Sequence, residues 1–528
     1  MESLAIHLPE VSAAPVLLTA VLVFAILYRH RRNARGNPKG FPNPPGPKPL
    51  PLIGNLLDIP RTDESSTYQD LAKQYGDLVY LSTMGTSILL VSSFKTAGDL
   101  FERRSTNYSD RFQSPMSHDL MGWDFSFAHM VYGDRWKKHR RVFHHQFQPS
   151  IAPSYYPIQT REAHGLLRRF LRSPDTLDYN LRQNAASLVM KVTYGIQIAD
   201  TNDAYVAIAG KALEGAAMAT SPGAFLVDFI PFLKHVPEWV PRASFKRRAR
   251  EWRDAVTHMR NDPFNTVVNE MKSGTAPPSF VSNLLSDMES KGNVTEEDAN
   301  LIKNCAALVY AASAESTVST LSTFVLAMLT YPDIQARAQK ELDSVVGRDR
   351  LPEFSDRDSL PYLSAILKEV LRWNPVAPLG LPHVVSHDDV YNGYYIPAGT
   401  IVIGNAWGIF NDETIYPDPR RFNPDRFMGE GDKGLQHLSP MDPLSAAFGY
   451  GRRACPGRYM GESQVWISIA SILSVFDIKP ALDEMGRPIH VTPEFSKTGM
   501  ICHPVPFKYA MKPRDNAARL LIEQTELN

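Results

Sequence analysis

Between Asp298 and Thr330 apolar positions recur at helical spacing without a break, and the run stops at Tyr331-Pro332, where proline cannot continue a helix. Thr295 followed by Asp298 has the form of a capping box and marks the start. A helix of about 35 residues is roughly three times the mean length, and it commits the chain to a mainly helical architecture. In its middle stands Ala311-Ala312-Ser313-Ala314-Glu315-Ser316-Thr317, small residues carrying one carboxylate and three hydroxyls. Ala312, Glu315, Ser316 and Ser319 fall at i, i+3, i+4 and i+7 and share one face. Such a bare stretch suits the approach of something flat or a tight helix crossing.

The same periodicity predicts helices over Arg161–Leu171, Asn184–Val192, Arg250–Met271, Pro332–Val346, Leu360–Trp373 and Tyr459–Phe476. Strand signals are few: Leu78–Leu81, Ile88–Val91, Val390–Ile396 and Ile401–Ile403. The fold class is mainly α with a small β portion. With 43% apolar residues among 528 and 21% charged, the chain can bury a large core and is neither disordered nor fibrous. Basic and acidic residues number 56 each, so no global field draws it to nucleic acid. No linker or repeat interrupts residues 52–528, which read as one domain. Cys305, Cys455 and Cys502 are too few for a disulfide framework and lack zinc-ligand spacing, which points to a reducing compartment.

Residues Val11–Tyr28 carry no charge; Glu2 and Glu10 precede them and Arg29, Arg31, Arg32 and Arg35 follow. About eighteen residues nearly cross a ~30 Å hydrocarbon layer. Charges placed after the apolar run argue for an uncleaved anchor over residues 1–35, with the bulk of the chain on the cytosolic side. A buried core helix is the weaker reading for a terminal run with a basic flank. Residues 36–51, including Phe41-Pro42-Asn43-Pro44-Pro45-Gly46-Pro47, form a stiff extended hinge rather than a ligand for a proline-binding module.

The sharpest motif is Phe448-Gly449-Tyr450-Gly451-Arg452-Arg453-Ala454-Cys455-Pro456-Gly457. Gly449 and Gly451 permit positive φ in a tight turn, and Gly457 permits close approach to a planar partner. Pro456 suits the first turn of the following helix and sets Cys455 where the dipole favours a thiolate able to bind metal. Phe448 can shield that sulfur, and Arg453 can reach an anionic group on the same ligand. Gly449-x-Gly451-x-x-Ala454 matches a dinucleotide fingerprint by count, but no buried strand precedes it and no βαβ unit surrounds it.

Phe448-x-x-Gly451-x-Arg453-x-Cys455-x-Gly457 resembles the haem-ligand signature of the cytochrome P450 monooxygenases, most closely the microsomal fungal branch. Trp136-x-x-x-Arg140, the small-residue helix, Glu369-x-x-Arg372 and Pro424-Asp425-Arg426-Phe427 accompany it in the family's order. The resemblance implies haem b (iron protoporphyrin IX) with Cys455 as axial thiolate, and Trp136, Arg140, His383 and Arg453 about the propionates. It implies a structural Glu369–Arg372–Arg426 network behind the haem. It also implies an acid–alcohol pair for proton delivery at Glu315-Ser316, with Thr317 adjacent. Ser313 stands where the family has glycine, and Ser316 where it has threonine.

No flavin or nicotinamide fingerprint is present, so the expected partners are O2, an NADPH–cytochrome P450 reductase with cytochrome b5 as a second donor, and a small hydrophobic substrate such as a fungal terpenoid. Lys137, Lys138, Arg141, Arg452 and Arg458 can steer an acidic flavoprotein, or form an ordinary solvated charge run. Phe112, Met116, Met121, Trp123, Phe125 and Phe127 either line an apolar substrate loop or pack the core. The anchor implies a single-pass protein of the endoplasmic reticulum membrane. Two competing functions are a haem-thiolate isomerase, dehydratase or peroxide user that needs no reductase, and a non-catalytic haem-binding protein.

Overall fold

The computed structural model describes residues 39–526, except 84, 221–223, 241–242, 293, 430–441 and 498, together with Val23 and Asn37. The expected anchor over residues 1–35 lies, Val23 apart, outside the described residues. Among those described, no helix is long and apolar enough to cross a membrane.

The long helix spans Glu296–Thr330, and its capping box is formed: the Asp298 N–H donates to Thr295 Oγ1, and the Thr295 N–H to Asp298 Oδ2, each at 3.2 Å. The helix passes through two separate hydrophobic cores. Ile302 to Ala311 pack with the helices Asp134–Phe147 and Ser244–Lys272. Val318 to Leu329 pack with the helices Tyr156–Arg172, Pro361–Trp373 and Arg458–Val475. Each large apolar side chain buried there is worth about 1.5–3 kcal/mol, so both halves are pinned. Residues 312–317 belong to neither core, and Ala312 is exposed although the helix is buried on both sides of it. The bare stretch therefore marks a seam between the cores. The Arg458–Val475 helix straddles the same divide, with Met460 in one core and Val465 onward in the other.

The β portion comprises β1 (Leu78–Thr83), β2 (Thr86–Val91), β3 (Asp110–Arg111), β4 (His383–Val384), β5 (Asp389–Tyr391), β6 (Tyr394–Ile396), β7 (Ile401–Gly404), β8 (Phe476–Pro480) and β9 (Tyr509–Pro513). One sheet has the order β1-β2-β7-β4-β3, and the β5–β6 and β8–β9 hairpins stand apart. Asn392 and Gly393 turn the β5–β6 hairpin with φ of 51° and 81°, as a two-residue loop requires. Register in the main sheet sets Arg111 opposite His383. The proline-rich stretch lies along this β region: the Pro45 carbonyl accepts from the Tyr80 N–H at 2.9 Å and the Pro42 carbonyl from that of Tyr395 at 2.8 Å.

Candidate active site

The loop ahead of the Arg458–Val475 helix closes when the Cys455 N–H donates to the Phe448 carbonyl at 2.7 Å. Gly449 and Gly451 adopt φ of 73° and 53°. A Cβ on Gly451 would stand 2.3 Å from the Phe101 carbonyl oxygen, so only glycine lets the loop seat against that backbone. A Cβ on Gly457 would meet nothing within 4 Å, which leaves room for a planar neighbour. Cys455 itself is exposed. Yet burial is the chief influence on its thiol and raises it, against the pull of the Gly457 N–H and the charges of Arg140 and Arg458. The exposed cysteine leaves that side of the loop open to a bound group. Cys305 and Cys502, by contrast, are buried, and burial pushes the Cys502 thiol up to about 11.

Positive charge gathers beside this loop. Arg140 feels the Cys455 charge, and burial lowers its own pKa. The Arg453 guanidinium stacks 4.5 Å from the Trp136 ring centre and donates to the carbonyls of Ser109 at 2.8 Å, Met130 at 2.7 Å and Phe127 at 3.2 Å. Burial brings it down to about 10. Arg111, which sequence reasoning did not single out, donates to the carbonyls of Ala128, Leu381 and Pro382, and burial with the nearby Arg453 charge brings it down to about 9. Asp110 is the carboxylate that faces both. A buried surplus of guanidinium suits an anionic group, and with the uncovered thiol and the open side of Gly457 it fits a haem with its two propionates.

His383 differs from these cations. Its Nδ1 donates to the Tyr108 carbonyl at 2.6 Å, and burial with the charges of Arg111 and Arg453 holds its pKa well below the usual imidazole value. A neutral ring whose proton sits on Nδ1 offers only a lone pair at Nε2, so it has no donor for a carboxylate until it gains a second proton.

Glu369, Arg372 and Arg426 come together. Arg372 donates to Glu369 through Nε at 2.6 Å and Nη2 at 2.8 Å, with both side chains fully buried. The Asn423 N–H donates to Glu369 Oε1 at 2.8 Å, and Arg426 Nε lies 3.4 Å from the same oxygen. The i, i+3 spacing thus becomes a bidentate pair, as a buried carboxylate demands.

Glu315 and Ser316 do not bond to each other. Ser316 Oγ donates back to the Ala312 carbonyl at 3.0 Å. Glu315 Oε1 meets Arg182 Nη1, and Oε2 lies 3.3 Å from His503 Nε2. Burial pushes the carboxyl up, but the His503 contact and the Arg182 charge outweigh it and leave the pKa below the usual value. Thr317 lies half-buried on the same seam. Neither Arg182 nor His503 carries a sequence signal, because both arrive from distant elements.

An open groove of about 470 Å³ beside the loop is lined by Lys137, Arg140, Arg141 and Arg452, among others. Lys138 turns instead to Glu297 at 2.8 Å, and Arg458 covers the Tyr459 ring. Met116, Met121, Trp123, Phe125 and Phe127 are buried in a core, whereas Phe112 remains 39% exposed. The apolar loop is thus mostly core packing.

The chain is similar to known proteins over most of its length. The cytochrome P450 family profile matches residues 44–511. Cytochrome P450 monooxygenase 98 of Postia placenta is 42% identical over 96% of this chain and 96% of its own. A cytochrome P450 monooxygenase of Armillaria gallica is 44% identical over 96% and 99%. Tryptamine 4-monooxygenase of Psilocybe cyanescens is 38% identical over 94% and 97%. The chain belongs to the cytochrome P450 family, and it is a monooxygenase of that family.

Proposed function

We propose that this enzyme holds haem b through the Cys455 thiolate and inserts one atom of O2 into a C–H bond of a small apolar molecule. The supporting observation is Cys455 itself, exposed on a glycine-dependent loop that its own N–H closes against the Phe448 carbonyl. When bound, the haem supplies oxygen activation, because an anionic sulfur ligand favours O–O cleavage. Phe448 keeps water from the sulfur. Trp136, Arg140 and Arg453, with Arg111, bind and orient the propionates. Glu369, Arg372 and Arg426 fix the backbone behind the cysteine loop. Glu315 takes up a proton at its carboxylate in passing, and Ser316, with Thr317 beside it, moves a proton at the hydroxyl.

An NADPH–cytochrome P450 reductase supplies electrons, with cytochrome b5 as second donor; the groove of Lys137, Arg141 and Arg452 supports docking of an acidic partner. The enzyme sits on the endoplasmic reticulum membrane through a single span within residues 1–35, its catalytic domain in the cytosol. Leu226, Phe232 and Trp239, exposed by 67%, 73% and 83%, support a second, shallow contact with lipid. The proposed substrate class is a terpenoid-type secondary metabolite.

The test of cofactor and ligand is the absorbance of the reduced, carbon monoxide-bound protein. Wild type should give the thiolate-ligated spectrum and Cys455→Ala should lose it; a colourless wild type from cells supplied with iron and porphyrin precursor overturns the proposal. A spin-state screen of terpenoids, with tryptamine as the comparison compound, then addresses substrate. Turnover with added peroxide alone, and none with reductase and NADPH, would refute the monooxygenase route.

A further inference from the structure

Glu315 is approached from two directions. The helix Leu177–Tyr194 brings Arg182, whose Nη1 meets Oε1 and whose Nε is held 2.7 Å from Asp178. The C-terminal segment brings His503 to Oε2. That histidine is firmly placed. Its N–H donates to Ser496 Oγ at 3.0 Å and its carbonyl accepts from the Ser496 N–H at 2.7 Å. The neighbouring Cys502 carbonyl accepts from Ser319 Oγ, on the long helix, at 2.5 Å. About a quarter of the His503 side chain stays open, 26%, against 22% for Glu315.

The two cations differ in what they can do. A guanidinium does not give up its proton, so Arg182 can only hold the carboxylate. Histidine is the side chain that ordinarily takes up and releases a proton within the physiological range. Among the described residues, Arg182, with Asp178 behind it, and His503 are the charged groups that face Glu315 from the packed elements.

We propose that His503 loads Glu315 with its protons, a role that rests on the reading of Glu315 as the proton-delivering acid. In the transfer the N–H bond at Nε2 of the imidazolium breaks, its electron pair stays on Nε2, and an O–H bond forms at Glu315 Oε2. The neutral ring is recharged by one proton from a solvent hydronium ion, which is left as water. Because the lowered pKa makes the carboxylate the resting form, the loaded carboxyl is transient; its O–H bond then breaks, the proton passes to a solvent water at the seam, and Glu315 returns to the carboxylate beside Arg182. Nothing is oxidised or reduced in these steps.

The experiment uses the full haem-loaded chain with a reductase, NADPH and air, and compares wild type with His503→Gln, which keeps a hydrogen-bond donor but cannot carry a proton. The expected result is a fall of about 10²-fold in the rate of oxygen reduction to water, at the low end for a positioned proton donor. Peroxide released per NADPH should rise, and the pH profile of turnover should change shape, because glutamine carries no ionisable proton. An unchanged partition and pH profile overturns the role, since a merely structural contact would survive as glutamine.

Carbon-13 NMR of the glutamate carboxyls, with Glu315 assigned through Glu315→Gln, gives a readout apart from turnover. The Glu315 titration should move to higher pH in His503→Gln, and no movement refutes the contact. Should that variant lose its haem, the wild-type titration alone decides, because the Glu315 signal must carry a second inflection from its neighbour or the proposal fails. Wild type that consumes no NADPH sinks the monooxygenase reading; wild type that turns over while His503→Gln matches it sinks only the role of His503.

Discussion

Glu369 and Glu315 each sit between two cations, and their surroundings set them apart. Glu369 and Arg372 are fully buried, and the carboxylate is saturated by Arg372, the Asn423 N–H and Arg426. Glu315 lies at the seam between the two cores, 22% exposed, with one partner that cannot release a proton and one that can. Access to water, together with a histidine in place of a second arginine, separates a clamp from a group able to exchange protons.

The largest effect expected from this contrast is at Glu369. Glu369→Gln strands the buried guanidinium of Arg372 and should cost about 3–5 kcal/mol, measured by urea unfolding and by the haem retained on purification. Glu315→Gln should cost under ~1 kcal/mol of stability, because solvent screens its partners, while coupled turnover falls about 10²-fold. If both variants unfolded alike, the distinction between clamp and proton carrier would be broken.

Glu64 sharpens the contrast further. No ion pair is found for it among the described residues, and burial pushes its carboxyl up to about 7 from 4.5. Below 4.5 folded and unfolded chains both hold this proton. As pH rises from 4.5 to about 7 the unfolded chain releases it first, so stability declines through that window and levels off above it. Glu64→Gln should flatten that slope, a small effect visible as converging urea midpoints at pH 5 and pH 8. Glu315 has the opposite sign: its lowered pKa contributes stability above the ordinary carboxylate value, lost as pH falls through the folded one.

Much of the frame could be read from local pattern. The long helix, expected over Asp298–Thr330, spans Glu296–Thr330 because its cap and its terminating proline act within one turn. The Glu369–Arg372 pair was legible for the same reason. The helix Ala204–Thr220 was missed, since an alanine- and glycine-rich run presents no apolar stripe. β8 and β9 were missed because each finds its partner at long range. The aromatics of the Phe112–Phe127 region could not be assigned to pocket or core from composition, as either use needs the same residues; burial places most of them in the core.

What the sequence determined by itself was the class of fold, the glycine-dependent cysteine loop and the family, because turns, caps and helical faces depend on residues a few positions apart. Only the tertiary structure decided that His383 is held neutral, that Arg111 joins Arg453, and that Arg182 and His503 converge on Glu315. Those outcomes depend on desolvation and on charge acting through space, and neither is fixed until distant segments have packed together.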